Sequence, residues 1–163
     1  MRLESKRTLS PVKIAFAWLC VVAWMTLIFY FSNQPADQSS QLSMAWAERL
    51  IRFLGLAASS EQVARLDSLL RFLAHAAIFF ILGVLAFRAF TLIGKRRLTR
   101  VTASLLLCLF YAGFDELHQS LVPGRASQWS DFLTDGIGSL LGIGTCLAAA
   151  VWFAAHPRLS AKP

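Results

Sequence analysis

Long apolar runs alternate with short polar breaks along the chain, and four of the runs reach the roughly 20 residues needed to cross a bilayer. They fall at about 13–31, 70–90, 100–119 and 132–153. Residues 36–69 keep a different rhythm. Leu42, Trp46, Leu50, Phe53 and Leu54 recur at spacings of three and four, with Ser, Glu and Arg between them. That is the pattern of an amphipathic helix lying in an interface. Gly55 offers it a C-cap. Ser59, with Gln62 three residues on, makes a capping box for a further helix, whose apolar face (Val63, Leu66, Leu69, Leu70, Leu73) runs on into the second span. Pro35 ends the first helix, and Pro123-Gly124 turns the chain between the third and fourth. Ser130 is expected to N-cap the fourth helix. Gly138 and Gly142 form a GxxxG, with Gly136 and Gly144 adding small surface, so this helix should pack closely. The expected fold is all-α: one integral membrane domain of four transmembrane helices, with an interfacial helix between the first and second.

Composition supports this reading. The chain has 163 residues, enough for one domain. Its 56% hydrophobic and 15% charged residues and mean hydropathy of +0.57 are too apolar for an ordinary soluble domain. The segment Ile14–Phe31 resembles a signal peptide, but Ser-Asn-Gln-Pro follows its core where a small-x-small cleavage site would stand, so a retained anchor is expected. Cys20, Cys108 and Cys146 are odd in number and lie inside the apolar runs, which argues for packing residues rather than disulfides.

The net charge of +7 would suit a nucleic-acid partner, but its distribution points to topology. Arg2, Lys6, Arg7 and Lys13 precede the first span. Arg88, Lys95, Arg96, Arg97 and Arg100 join the second to the third, and Arg158 and Lys162 follow the fourth. Glu4 is the one acid among them. Arg49, Arg52, Arg65, Arg71 and Arg125 share the opposite side with eight acids. The positive-inside rule then places both termini in the cytoplasm and residues 32–69 outside it.

The chemistry gathers in Asp115–Gly142. Asp115, Glu116, His118 and Gln119 close the third apolar run, Arg125 sits in the turn, and Asp131 and Asp135 open the fourth run. The topology brings Ser32, Asn33, Gln34, Arg71 and His75 to the same face. Ionisable groups inside a membrane are rare and mark functional sites by default. Plainer accounts stand beside that one. His75 shares a helical stripe with Phe79 and Gly83 and can be a packing residue. Asp131 in a first turn is explained by the helix dipole, although Asp135 a turn deeper is not. The whole set can also be a polar network that ties helices together. Ser104, Cys108, Tyr111, Asp115 and His118 fall on one stripe with Gln119 beside it, while Glu116 points about 100° away.

Arg and His facing carboxylates suit a phosphate or carboxylate head group, and His with several acids suits acid–base chemistry or a divalent ion. Asp115 and His118, at i and i+3, can reach one ion, but that spacing is common by chance, and neither a metal nor a cofactor is expected. No HExxH, GxSxG or CxxC is present. Asp115, Glu116, His118 and His75 are the catalytic candidates. Arg125, Gln119, Asp131, Asp135, Arg71, Asn33 and Gln34 are the binding candidates.

The run Phe-Asp-Glu-Leu-His-Gln (114–119), with Val-Pro-Gly-Arg (122–125), Asp131 and the glycine-rich fourth span, resembles the VanZ-like membrane proteins. Phe-Ser-Asn-Gln-Pro (31–35) and His75 fit the same pattern. Where that family often has Lys before the histidine segment this chain has Arg71, which leaves the role of Arg71 open. The resemblance covers nearly the whole chain and implies a bacterial envelope protein of the inner membrane, associated with glycopeptide (teicoplanin-type) resistance but with no settled reaction. The expectation is a protein whose extracytoplasmic polar site engages an envelope lipid or a lipid-linked cell-wall component, with membrane lipids and not nucleic acid as partners. The alternative is a lipid head-group hydrolase or transferase, with Asp115 or His118 as base, His75 as acid, and Glu116 or Asp131 as metal ligand or orienter.

Overall fold

A computed structural model describes residues 10–55, 57, 59–94 and 96–156. Of the basic flanks that set the expected topology, Arg2, Lys6, Arg7, Lys95, Arg158 and Lys162 lie outside the described residues, as does Glu4. Five helices follow in order: α1 (Pro11–Ser32), α2 (Ala36–Phe53), α3 (Ser60–Leu92), α4 (Arg97–Gln119) and α5 (Trp129–Ala155). Among the described residues there is no strand. α1, α3, α4 and α5 are long and apolar enough to cross a membrane. Their outer surfaces expose Phe16, Leu106, Phe110 and Leu141, as lipid-facing helices do.

The signals at the helix ends act as read, with one exception. Ser59 Oγ accepts the Gln62 N–H while Gln62 Oε1 accepts the Ser59 N–H, so the capping box is complete. Gly55 leaves α2 at a positive φ of 67°, a conformation that suits glycine beyond a helix end. The exception is Ser130. α5 begins two residues before the expected position, with Gln128 as N-cap, and Ser130 Oγ turns to Asp131 Oδ1 at 3.2 Å. The Gln128 N–H is taken by Glu116 Oε2 at 2.6 Å. A carboxylate of the neighbouring helix thus holds this helix start, which a local capping rule cannot foresee.

The α3–α5 pairing is the most extensive in the bundle, and glycine is the reason. A Cβ placed on Gly138 would collide with the Ala76 carbonyl oxygen, one on Gly142 with that of Phe80, and one on Gly83 would sit 2.5 Å from that of Ser139. The two backbones therefore touch. The core between helices is filled by Val21, Ile28, Phe79, Leu82, Cys108, Tyr111 and Ala112. α1 is tied in by polar side chains as well as by packing. Trp24 Nε1 donates to the Ile78 carbonyl at 2.9 Å, the Tyr111 hydroxyl donates to that of Met25, and Trp18 packs edge-on against Phe90.

α3 has 33 residues, or about 50 Å of helix, against a hydrocarbon layer of about 30 Å. It is therefore longer than one crossing needs, and α2 packs against it. Ala47 of α2 is buried while Leu42, Trp46, Leu50 and Phe53 stay exposed, which fits an interfacial helix with an apolar side toward lipid. Because the four long helices alternate in direction, the end of α1, the first half of α3, the end of α4 and the start of α5 meet at one face.

Candidate functional site

Two cavities open at that face. The first, about 380 Å³, lies between α1, α2 and α3, with Ile28, Leu42, Trp46 and Ile78 on its apolar walls and Ser32 and Asp115 on its polar wall. The second, about 610 Å³, is more polar and is bordered by Ser40, Asp67, Gly124, Ser130, Asp131 and Thr134. Arg71, His75, Gln119 and Arg125 line both. These four side chains therefore stand at the junction of an apolar chamber and a polar one.

Arg125 reaches the junction through the turn ahead of it. Its N–H closes onto the Val122 carbonyl at 3.1 Å, with Pro123 and Gly124 between and Gly124 at φ 75°. Proline at the second position and a positive-φ glycine at the third define a type II turn. The turn is pinned from outside by the Ala36 N–H, which donates to the Pro123 carbonyl at 3.4 Å. Burial and the neighbouring Arg71 guanidinium lower the Arg125 pKa from its usual value, against the fields of Asp115, Asp131 and Glu116. Among the described residues neither Arg71 nor Arg125 forms an ion pair. Arg125 Nε is buried without a hydrogen-bond partner among the described residues, and Arg71 Nη1 donates to the Ser40 hydroxyl of α2 at 3.3 Å. Two guanidinium groups so placed leave an unfilled preference for an anion.

The acids sit deeper. Asp135 is fully buried, with Oδ1 3.2 Å from His75 Nδ1. Asp115 Oδ2 accepts from Gln119 Nε2 at 2.8 Å. Glu116 is buried too, and one oxygen from each of Asp115, Glu116 and Asp135 lies within 4.8 Å of the others. Asp131 lies farther out, on the wall of the polar cavity.

Helix geometry explains which candidates meet. Relative to Asp115, Gln119 is turned about 40° one way and His118 about 60° the other, with Glu116 about 100° round on the Gln119 side. Gln119 therefore joins Asp115 on the inward face and Glu116 turns to α5. His118 faces α1, where its ring packs 4.4 Å from that of Phe29 and 6.4 Å from that of Phe114. It lines neither cavity. Asn33 is exposed at the C-cap of α1, while Gln34 and the buried Ser32 line the apolar chamber. Sequence reasoning passed over Ser40, Ser43, Asp67 and Thr134 as lining residues. A signal existed for α2: Ser40, Ser43 and Ala47 form a stripe of small residues at spacings of three and four, beside its bulky apolar positions.

A family model described as VanZ/LLP1 matches residues 16–152, a stretch that contains every residue of both cavities. No curated protein and no solved structure matches the chain.

Proposed function

Given that this chain belongs to the VanZ/LLP1 family, we propose that it is an inner-membrane protein of the bacterial envelope that binds an anionic amphiphile, a lipid or a lipid-linked cell-wall component. The observation that carries this reading is the pair of unpaired guanidinium groups, Arg71 and Arg125, where the two cavities join. An amphiphile has an anionic head and an apolar tail. The head suits the two guanidiniums and the polar cavity beyond them, and the tail suits the chamber walled by Ile28, Leu42, Trp46 and Ile78. Gln119 and His75 lie beside the head, and Arg71 links its position to α2 through Ser40. A role in glycopeptide resistance fits such a protein if the bound component is the one a glycopeptide would otherwise engage.

Lipids retained through purification test the reading. Wild type should carry a stoichiometric anionic lipid that mass spectrometry identifies. Arg125→Ala and Arg71→Ala should each weaken its retention by roughly 10- to 100-fold, the worth of one hydrogen bond to a charged group. Equal retention in wild type and both variants would remove the reading.

One observation favours a catalytic version of the same site. His75 borders both cavities while its Nδ1 is engaged by a fully buried carboxylate. That arrangement fixes the ring and leaves Nε2 to exchange a proton with a bound head group. Asp135 would then orient His75, and hydrolysis or transfer of the head group would be the reaction. Turnover of the retained lipid in proteoliposomes, abolished in His75→Gln, separates this version from binding alone.

A further inference from the structure

The two arginines and His75 leave a problem unsolved beneath them. Asp115, Glu116 and Asp135 come from two helices, are each at least nine-tenths buried, and bring one oxygen apiece within 4.8 Å of each other. Three carboxylates so close in a dry interior repel strongly unless something positive lies among them. The cations nearby do not fill that role. Among the described residues His75 hydrogen-bonds to Asp135 alone of the three, and Arg125 acts on the acids through space without pairing with any.

The hydrogen bonds of the three acids share a feature. Each carboxylate has one oxygen fixed by a donor from outside the cluster: Asp115 by the Gln119 amide, Glu116 by the Gln128 N–H and Asp135 by His75. Glu116 Oε1 and Asp135 Oδ2 are then left buried with no partner at all. Buried polar atoms are almost always satisfied, so two orphaned oxygens in one acidic cluster point to a missing positive ligand. Carboxylates oriented through one oxygen while the other remains to be used are what an oxygen-ligated metal requires. A separation of up to 4.8 Å matches two oxygens placed across an ion at about 2.1–2.5 Å from each.

We infer that Asp115, Glu116 and Asp135 form a binding site for one hard divalent cation of the magnesium, calcium or manganese type. Carboxylate donors without thiolate select such ions. The Ser32 hydroxyl at the end of α1, buried without a hydrogen-bond partner and lining the same cavity as Asp115, offers a further oxygen. Asp115 lines the apolar chamber beside Arg125, so the ion is reached from that side and its remaining positions are open to water or to an anion held by the guanidiniums. The inference rests on the three carboxylates and not on the amphiphile, so either can fail while the other stands.

The test uses the full chain in detergent, stripped with chelator and then freed of it. Titration with Mn2+, followed by electron paramagnetic resonance and equilibrium dialysis, should show one ion per chain, displaced by Mg2+ or Ca2+. The same ions should raise the unfolding temperature with rising concentration, as binding to the folded state demands. Asp135→Asn and Glu116→Gln should each weaken binding at least about tenfold, while Glu61→Gln, at an exposed acid paired with Arg65 and lining neither cavity, should leave it unchanged. Wild type that binds no Mn2+ at millimolar concentration overturns the site, with no variant needed. So does binding that both substitutions leave intact. If protons rather than a metal hold the acids together, wild type will ignore all three ions and Asp135→Asn will be the more stable protein, which also overturns it.

Discussion

Arg125 shows how much one side chain depends on its backbone. Its guanidinium is delivered to the junction of the cavities by a turn that needs glycine at φ 75°, and a Cβ on that glycine would lie 3.2 Å from the Ala36 side chain. Gly124→Val would meet both the left-handed strain of about 1–2 kcal/mol and the start of α2. It should lower the unfolding temperature in detergent and also loosen the retained lipid, although no contact of Arg125 itself is removed. A variant that keeps both properties would mean that the turn does not set the position of Arg125. His118 makes the opposite point. It stands three residues from Asp115 in the chain, yet it packs against Phe29 and Phe114. His118→Phe should preserve lipid retention where His75→Phe should not, and equal losses would bring His118 back to the site.

Among the elements, α3 and α5 form the rigid pair and α2 the accessory. The glycines of α5 let it approach α3 to backbone contact over Ala76 and Phe80, and this contact sets His75 opposite Asp135 at 3.2 Å. Gly138→Val and Gly142→Val would force the helices apart, at about 1–3 kcal/mol each, the usual range for overpacking. A methyl group on Gly144 would meet nothing within 4 Å, so Gly144→Ala should be close to neutral. Thermal unfolding of the three variants in one detergent checks the ranking, and a destabilised Gly144→Ala would refute the assigned interface. α2 is held to the rest by Arg71 to Ser40, by Ala36 to Pro123 and by the buried Ala47. Its exposed Leu50 and Phe53, which line neither cavity, would rest in the head-group layer.

For the whole molecule, the decisive quantity is charge at the two ends of the bundle. The face bearing the cavities sets eight acids against Arg49, Arg52, Arg65, Arg71 and Arg125, while Lys13, Arg88, Arg96, Arg97 and Arg100 gather at the opposite ends of α1, α3 and α4. The orientation proposed from the positive-inside rule turns the cavities away from the cytoplasm. A phosphatase reporter placed after Arg96 should be inactive and one placed after Gly55 active. The reverse pattern would turn the site toward the cytoplasm and exclude an extracytoplasmic ligand.

The sequence by itself determined the helices, the capping box that starts α3 and the end of the bundle where the chemistry lies. Apolar run length, i+3 and i+4 spacing and the Ser59–Gln62 pair are local facts about neighbouring residues, and bilayer thickness turns them into spans. It also singled out Asp135, because no cap or dipole explains an acid one turn inside a membrane helix. Only the tertiary structure decided which polar groups share a space. Small angular offsets on α4 separate Gln119 from His118, and Glu116 turns to α5 and fixes its start. Whether Arg71 and Arg125 are paired or free depends on distances between helices far apart in the chain, and periodicity along one helix carries no information about those distances.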